Sequence, residues 1–587
     1  MTDILVMEVS LLVLLAVVCI GRVSTDVATP PPLVEALQGP VSGIYEKSNQ
    51  GRTFASYYGI PYAKPPVGEL RFMAPVPGDA WDGVLDGTKL RAVCPQLSLE
   101  VLMMGKPLTP DQIKGDEDCL HLNVFTHKTG KDMDKLPVMV WIHGGGYNLG
   151  SVRWHPPYVM MNKDIVLVTL HYRLGSLGFL STEDSLVPGN MGLKDQTLAL
   201  SWVKQNIQSF GGDPDQVTIF GESAGSSSVH MQILAPHSDG LFQRAIMQSG
   251  NALCPWAMGE SHLSNTKMLA TNLGCTTVND SQSMIDCLQT VPLVDLMVAY
   301  SKFTLPLLQN HNVWGPRVDG DFVPAAPEVL LKEGRFKAVD IIAGVNSHEG
   351  AALAGDFFLN HDGLSNFNKN FDNLTPVGLE LRQQENNPLG IARAAFDFYL
   401  DQDESVAQHH AEKVIQLYSD RQFNVPHESV SQFTVKHKPE SSLFIYQLDH
   451  RGKRSFAFHL EGFGDHWVSH GDDCFYFFEG GDSIIEMLEQ IPMSETDLKI
   501  RDELTTMWYN FAKTGNPTPD KSLGFVWNPT DHNLNYLSMG SPMAMKEEDP
   551  SRERIRNFWY SLPTRQNRLL CPEKVKELKS KKIGDEL

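Results

Sequence analysis

The stretch Phe220-Gly-Glu-Ser-Ala-Gly225 places a serine, Ser223, among small residues directly after a run of β-branched and apolar residues. That run, 216–220, predicts a short buried strand, and the residues after the serine predict a helix. A strand that turns sharply into a helix needs glycine where backbone segments come close, here at Gly221 and Gly225, and it holds the serine hydroxyl out at the strand tip. The pattern is typical of a nucleophilic serine.

A serine hydroxyl is a weak nucleophile at neutral pH, so it needs a base, an acid that orients the base, and donors for the oxyanion that forms. His143-Gly-Gly-Gly146 follows a predicted strand, 136–142, and glycines there leave backbone N–H groups unobstructed. The N–H groups of Gly145, Gly146 and Ala224 would supply three donors. The sequence therefore predicts an oxyanion hole at these three residues.

The acid is predicted from its position in the sequence. Residues 339–345 have the pattern of another buried strand, and Glu349 follows just past its end. Sites in parallel sheets gather at the carboxyl ends of strands, which favours Glu349. Asp319, Asp321 and Asp356 are alternatives that the sequence alone leaves open.

The base is predicted among the histidines that follow Glu349. His466 and His470 stand close together, and His470 precedes a glycine, which suits an exposed loop before an aromatic-rich helix. We expect His470 to be the base, with His466 as the alternative. The chain order Ser223, Glu349, His470 is the order of nucleophile, acid and base in α/β-hydrolases.

The elements that must position these residues alternate between strands and helices. Near-continuous apolar runs at 136–142 and 164–170 predict strands that are covered on both faces. Helical spacing at 192–206 predicts a helix before the strand that leads to Ser223. The predicted fold is therefore of the α/β class, an α/β-hydrolase fold with a large, mostly parallel central sheet flanked by helices.

The amino-terminal sequence predicts export. The apolar run at 11–20 is too short to span a bilayer and has the length of a signal-peptide core, although no Lys or Arg precedes it. We expect a signal peptide at 1–24, one catalytic domain at 25–565 and a charged tail at 566–587. Since no other apolar run has transmembrane length, the mature protein is expected to lack a transmembrane segment and to be secreted or lumenal.

The cysteines suit the same compartment. Cys94 and Cys119 bracket one loop, Cys275 and Cys287 bracket another, and we expect both pairs to form disulfides. No partner is predicted for the remaining cysteines of the mature chain, which are Cys254, Cys474 and Cys571.

Two further features concern partners and modification. Asn279 and Asn373 begin N-glycosylation acceptor sequences. The formal net charge is −21 and the isoelectric point is near 5.4, which disfavours nucleic acid and anionic membrane surfaces as partners.

Motifs spread over roughly residues 35 to 560 resemble the type-B carboxylesterase and cholinesterase-like family. They are Tyr58-Gly-Ile-Pro-Tyr-Ala-Lys-Pro-Pro66, Glu117-Asp-Cys-Leu-His-Leu-Asn-Val124, His143-Gly-Gly-Gly146, Phe210-Gly-Gly-Asp-Pro214, Phe220-Gly-Glu-Ser-Ala-Gly225, Gln248-Ser-Gly250 and His470-Gly-Asp472. The resemblance implies two-step hydrolysis of a small-molecule ester, which we expect to be apolar, with no metal or organic cofactor.

The resemblance also implies a role for each matching residue. Ser223 is the nucleophile, Glu349 the acid and His470 the base, and Glu222 supports the imidazolium electrostatically. Gly145, Gly146 and Ala224 match the oxyanion donors of the family. Both predicted cysteine pairs match the two amino-proximal disulfides of the family, whereas its third disulfide has no evident counterpart.

Several alternatives stay open within this resemblance. A cholinesterase is disfavoured because no aromatic residue lies between Cys94 and Cys119 to hold a quaternary ammonium. A juvenile-hormone-esterase-like role is weakened by Glu222, since such enzymes usually carry glutamine there, and no lid signature supports a lipase. The remaining alternative is an adhesion or binding protein that keeps the fold without catalysis. The terminal Asp-Glu-Leu587 is similar to endoplasmic-reticulum retrieval signals, with a solvated tail as the alternative.

Overall fold

The computed structural model describes residues 30–576 except 99–100, 102–107, 129–134, 304–312, 359–360, 382–384, 402, 404, 458–459, 461–464 and 483, and it gives only the backbone of 356, 357, 361 and 484. The predicted signal peptide and the Gly-Asp-Glu-Leu terminus lie outside the described residues.

The strands and helices of the described residues follow in chain order. The strands are β1 (Leu33–Ala36), β2 (Gly39–Ser42), β3 (Ile44–Lys47), β4 (Thr53–Pro61), β5 (Leu85–Asp86), β6 (Gln96–Leu97), β7 (Ile113–Lys114), β8 (His121–Thr126), β9 (Leu136–Ile142), β10 (Val166–Leu170), β11 (Gly212–Glu222), β12 (Arg244–Gln248), β13 (Asp340–Asn346), β14 (Leu443–Leu448), β15 (Tyr536–Met539) and β16 (Ala544–Lys546). The α-helices are α1 (Gly175–Phe179), α2 (Met191–Asn206), α3 (Ala224–Leu234), α4 (His262–Asn272), α5 (Ser281–Thr290), α6 (Leu293–Ser301), α7 (Pro327–Lys332), α8 (Ala351–Ala354), α9 (His361–Lys369), α10 (Phe371–Gly378), α11 (Pro388–Tyr399), α12 (Ala411–Ser419), α13 (Val425–His437), α14 (Cys474–Phe477), α15 (Ile484–Glu489), α16 (Glu495–Thr514), α17 (Pro550–Ser561) and α18 (Arg565–Leu570).

An 11-stranded sheet organises the molecule, in the order β16-β15-β14-β13-β12-β11-β9-β10-β8-β4-β3. The strands from β15 to β10 in this order pair in parallel, and antiparallel pairs lie only at the two margins, at β16 and at β8, β4 and β3. The mostly parallel central sheet predicted from the sequence is confirmed.

Both faces of this sheet are covered, as the continuous apolar runs predict. Along β9, the side chains of Val138, Val140 and Ile142 belong to one buried cluster, whereas those of Met139 and Trp141 belong to the cluster on the opposite face. Successive side chains of a strand point to opposite faces, so a strand without polar positions requires a packed layer on each side. The helices supply those layers.

The carboxyl ends of neighbouring strands bring the candidate site together. In the sheet register Gly221 of β11 lies opposite Ile142 of β9, and Glu222 lies opposite Gln248 of β12. The loop after β9 therefore starts beside the turn that carries Ser223. Strand β13, whose end leads to Glu349, pairs with the other side of β12.

The predicted disulfides are both present. Cys94 bonds to Cys119 with a Cα–Cα distance of 5.0 Å, and Cys275 bonds to Cys287 with a Cα–Cα distance of 6.0 Å. The other cysteines in the described part of the chain are free, and Cys254 and Cys571 are buried. Asn279 and Asn373, which begin the predicted glycosylation sequences, are both exposed.

The carboxyl-terminal segment packs on the body further than the expected boundary at 565. Helix α18 crosses that boundary, Leu570 and Cys571 are buried in the core, and the amide of Gln566 donates to the carbonyl of Leu253 over 2.8 Å. Within the described ranges, no single helix is both long and apolar enough to cross a bilayer, and α5 with α6 passes only as a pair bent by 113°.

Candidate active site

Ser223 occupies a strained backbone position between β11 and α3. Its φ of 58° and ψ of −124° fall outside the regions that residues with a side chain prefer. A Cβ on Gly225 would lie 2.0 Å from the carbonyl oxygen of Ile142, and a Cβ on Gly221 would lie 2.5 Å from the same oxygen. Glycine is therefore required at both positions, as the turn predicts, because β9 passes directly behind the serine.

A continuous hydrogen-bond chain starts at this serine. The Oγ of Ser223 lies 2.8 Å from Nε2 of His470, and Nδ1 of the same ring lies 2.6 Å from Oε2 of Glu349. Such a chain lets the ring accept the serine proton while the carboxylate fixes its tautomer and orientation. The structure thus brings together the three residues that sequence position selected.

Glu349 is completely buried, and its Oε1 accepts two hydrogen bonds. The backbone N–H of Asn346 donates to Oε1 over 2.7 Å, and the hydroxyl of Ser249 donates to the same oxygen. Donors of this kind stabilise the carboxylate and fix its position, so that Oε2 remains directed at the imidazole of His470. Ser249 lies just after β12 with a φ of 55°.

The loop that carries His470 is fixed by buried hydrogen bonds. Asp472 accepts from the backbone N–H groups of Ser469 and Phe456 over 2.8 Å each and from the hydroxyl of Ser455 over 2.6 Å. The side-chain amide of Asn346 also donates to the carbonyl of Ser469 over 2.7 Å. The acid and the base are therefore connected through the loops as well as through their side chains.

Glu222 adds a second carboxylate beside the imidazole. Its Oε1 lies 3.1 Å from Nε2 of His470, and its side chain is only 11% exposed. Burial raises the pKa of Glu222 above the usual range of a carboxyl group, and the positive charge of His470 opposes that rise. Burial opposes the imidazolium, but the charges of Glu222 and Glu349 outweigh it and raise the pKa of His470. The arrangement stabilises a positive charge on the ring.

The three N–H groups predicted as oxyanion donors belong to the glycine loop after β9 and to the start of α3. Gly145 and Gly146 have φ values of 105° and 60°, and Ala224 is the first residue of α3, where a helix leaves its N–H without an internal acceptor. A Cβ on Gly144 would lie 3.1 Å from the Cβ of Ser223, so the glycine loop lies against the serine. Within the described residues, none of the three N–H groups bonds to another group.

The aromatic ring of Phe423 borders the imidazole, and a second aromatic ring packs against Phe423. The ring of Phe423 lies 4.6 Å from the ring of His470, centroid to centroid, and 5.8 Å from the ring of Trp256. Phe423 is buried, and Trp256 is partly buried against the largest apolar cluster of the described residues. An apolar wall therefore faces the base.

The alternative residues lie elsewhere or are engaged elsewhere. His466 is half exposed and lies 3.1 Å from the carboxylate of Glu412 on α12. Asp319 and Asp321 both pair with Lys194. The side chain of Asp356 lies outside the described part of the structure.

Three contributors to this site were not identified from the sequence. Ser249 lies within the quoted motif Gln248-Ser-Gly250, and Asp472 lies within the motif that begins at His470, so a signal was present without an assigned role. Phe423 lies in none of the motifs, and nothing in its local sequence marks it.

The chain was compared with known proteins. The sequence pattern of the carboxylesterase family matches residues 30–559. The chain is 35% identical to venom carboxylesterase-6 of Apis mellifera, over 92% of this chain and 95% of the relative. It is 35% identical to juvenile hormone esterase of Tribolium castaneum, over 88% of each protein, and 32% identical to human neuroligin-2, over 90% of this chain and 67% of the relative.

Proposed function

The chain belongs to the carboxylesterase family and is a carboxylic ester hydrolase with an α/β-hydrolase fold; we propose that it cleaves esters through an acyl-enzyme formed on Ser223. The observation that carries the proposal is the hydrogen-bond chain from Ser223 through His470 to Glu349. Acyl transfer requires a base beside the serine and a group that orients that base, and the two short hydrogen bonds supply both.

Acylation begins when Oγ of Ser223 attacks the ester carbonyl and Nε2 of His470 takes the hydroxyl proton. The carbonyl oxygen becomes an oxyanion that accepts from the N–H groups of Gly145, Gly146 and Ala224. The imidazolium is stabilised by Glu349 and Glu222, whose carboxylates raise the pKa of the ring. The intermediate then collapses, and the alcohol leaves with the proton from His470.

Deacylation repeats the same steps with water as the nucleophile. Nε2 of His470 takes a proton from water, the resulting hydroxide attacks the acyl carbonyl, and the same three N–H groups hold the oxyanion. The carboxylic acid leaves as Oγ of Ser223 regains its proton. This cycle is complete with the side chains and backbone groups described above, and we propose that it runs without a metal or organic cofactor.

We propose an apolar ester as the substrate, because the base is bordered by Phe423, against which Trp256 packs. A terpenoid methyl ester is a second candidate, since one relative of equal identity is named a juvenile hormone esterase. Against this candidate, Glu222 stands where such enzymes usually carry glutamine.

We further propose that the protein is exported and glycosylated. Disulfides persist in oxidising compartments, and the two acceptor residues, Asn279 and Asn373, are exposed. Expression in an animal cell tests export and glycosylation, and expression of a variant without residues 584–587 tests whether the terminal sequence retains the protein. Glycosidase treatment should increase gel mobility, and truncation that leaves the secreted fraction unchanged would contradict retention by the terminal sequence.

The test of the catalytic proposal is hydrolysis of p-nitrophenyl esters from acetate to decanoate, with a terpenoid methyl ester in the same panel. We expect the wild type to prefer one range of acyl length and the Ser223→Ala variant to be inactive on every ester. Ser227→Ala is the matched control, because this serine lies one turn further along α3.

Each outcome of this panel decides a different point. Hydrolysis that survives in Ser223→Ala would contradict the proposed nucleophile. A folded wild type without activity on any ester would favour a binding role such as the neuroligin relative suggests. A methyl terpenoid ester cleaved faster than every p-nitrophenyl ester would favour the second substrate candidate.

A further inference from the structure

A π-helical turn, Asp420–Asn424, interrupts the helical segment between α12 and α13. Turns of this kind are rare, and they occur frequently at functional sites because they insert one residue and redirect the side chains around it. The turn is closely tied to its surroundings. Arg421 donates to the carbonyl of Leu379 over 3.1 Å, and Gln422 donates to the carbonyl of Gly378 over 2.7 Å.

The turn and the residue before it contact both ends of the acid–base pair. Phe423 places its ring 4.6 Å from the ring of His470, with an interplanar angle of 36°. The hydroxyl of Ser419 accepts the backbone N–H of Gly350 over 2.8 Å, and Gly350 directly follows Glu349. One short segment thus packs against the base and bonds to the loop of the acid.

The anchor of the turn is a buried carboxylate. Asp420 is completely buried and accepts from the hydroxyl of Tyr399 over 2.8 Å, from the amide of Asn424 over 2.9 Å and from the guanidinium of Arg552. Arg552 lies on α17, near the carboxyl end of the chain. Its Nε also donates to Glu428 of α13 over 2.7 Å, so one guanidinium connects the turn and the helix that follows it.

We propose that Arg552 is a positioning residue for catalysis: through Asp420 it fixes the π-helical turn, and the turn holds Phe423 against the imidazole of His470. The proposal rests on the proposed function, in which His470 is the base. In the described part of the structure Arg552 bonds to Asp420 and Glu428 and to none of the three residues of the hydrogen-bond chain, so its effect on the reaction passes through the turn. Helix α17, near the carboxyl end of the chain, thereby helps to orient the base.

The physical reason is that the imidazole of His470 can rotate unless a neighbouring group restrains it. Oε2 of Glu349 fixes one edge of the ring, but rotation about that single hydrogen bond moves Nε2 away from Ser223. A packed ring on the face of the imidazole prevents this rotation, and misplacement of a catalytic group by about 1 Å can reduce the rate about 100-fold. Removal of the guanidinium would leave the buried carboxylate uncompensated and release the turn, because no other Lys or Arg of the described residues pairs with Asp420.

The experiment is a double-mutant cycle on kcat and KM with Phe423→Leu and Arg552→Gln. Active-site titration with a fluorophosphonate normalises the rates to folded sites, and thermal unfolding is measured beside them. We expect each single variant to lower kcat about tenfold with a smaller change in KM. Because both residues act through the same contact, the double variant should be no slower than Phe423→Leu.

Matched controls use neighbours that lack the contact. Arg554→Gln removes an arginine of α17 that lies over the ring of Phe398, and Phe433→Leu removes a ring of α13 that stacks on His437. Both should keep the kcat of the wild type. If Arg552→Gln does not accumulate as folded protein, Arg552→Lys replaces it in the cycle, since lysine keeps the charge but cannot bond to Asp420 and Glu428 with a planar fork.

The outcomes separate this inference from the proposed function. The positioning role would be overturned if the Arg552 variant kept the wild-type kcat per titrated site, or if the two losses multiplied in the double variant. In either case an inactive Ser223→Ala variant would still support Ser223 as the nucleophile. Activity that persists in Ser223→Ala would instead overturn the proposed function on which the inference depends.

Discussion

The proposed nucleophile and the proposed base are held in different ways. Ser223 is positioned by backbone geometry: a strand end, two glycines against the carbonyl of Ile142 and the start of α3. His470 lies in a loop that is positioned by side chains, those of Asp472 in the same loop and of Asn346 and Phe423 from distant parts of the chain.

This difference has a consequence for substitutions. A backbone-defined turn has no room for adjustment, so a single added methyl group at its glycines displaces the nucleophile. A base held by several side chains loses precision gradually, because each contact restrains only part of its motion. We therefore expect large losses from the acid and the turn and graded losses around His470.

Among variants that keep Ser223, the largest effect is expected from Glu349→Gln. The amide oxygen would take the place of Oε1 and accept from Ser249 and Asn346, which leaves the NH2 group facing Nδ1 of His470. An N–H at that position forces the proton onto Nε2, where it blocks transfer from Ser223. We expect kcat to fall roughly 1,000- to 10,000-fold, measured by single-ester kinetics on folded protein.

The control for this prediction is Glu412→Gln, a carboxylate of α12 that is 58% exposed and pairs with His466. It should retain full activity. A Glu349→Gln variant within tenfold of the wild type would contradict the assignment of the acid and would reopen the alternatives named from the sequence.

Gly225→Ala tests the backbone side of the comparison. Because its Cβ would lie 2.0 Å from a carbonyl oxygen, the turn must shift, and we expect kcat/KM to fall about 100-fold. Overpacking of this kind also lowers the free energy of unfolding by about 1–3 kcal/mol. Gly540→Ala, where the nearest atom lies 3.7 Å away, is the matched control in both assays.

Glu222→Gln tests the electrostatic part of the base environment. Removal of a nearby negative charge lowers the pKa of His470, so the rising limb of the profile of kcat/KM against pH should move to lower pH. The imidazolium loses part of its stabilisation, and kcat should fall about tenfold. A limb that stays in place or moves to higher pH would contradict this account of the raised pKa.

The smallest effect on catalysis is expected from removal of the disulfide between Cys275 and Cys287. Replacement of Cys275 and Cys287 by serine should lower the free energy of unfolding by about 2–3 kcal/mol, because the bond closes a short loop. Within the described structure neither cysteine contacts Ser223, Glu349 or His470, so kcat should not change. Denaturant unfolding and ester hydrolysis on the same preparation check both statements.

Sequence reasoning reached the backbone-defined parts of the molecule. The strand predicted at 136–142 has the observed bounds, the predicted helix at 192–206 is observed at Met191–Asn206, and the strand before Ser223 is longer than the predicted 216–220 at both ends. These features depend on local patterns of apolar residues and glycine, which a single sequence displays.

The contacts around the base could not be derived in the same way. Ser249 donates to a residue 100 positions further along the chain, and Arg552 pairs with a residue 132 positions before it. Such pairs depend on how the helices after β13 pack, and no local pattern encodes that packing. The contact of Phe423 with His470 could not be predicted, because it depends on the π-helical turn that directs the ring at the imidazole.

The most direct test of the account is covalent labelling with a fluorophosphonate, followed by peptide mass spectrometry and hydrolysis assays at each degree of labelling. The account predicts one adduct per chain, located on Ser223, with activity falling in proportion to the labelled fraction. Hydrolysis that persists when Ser223 is fully labelled, or inactivation with the adduct on another residue, would contradict it.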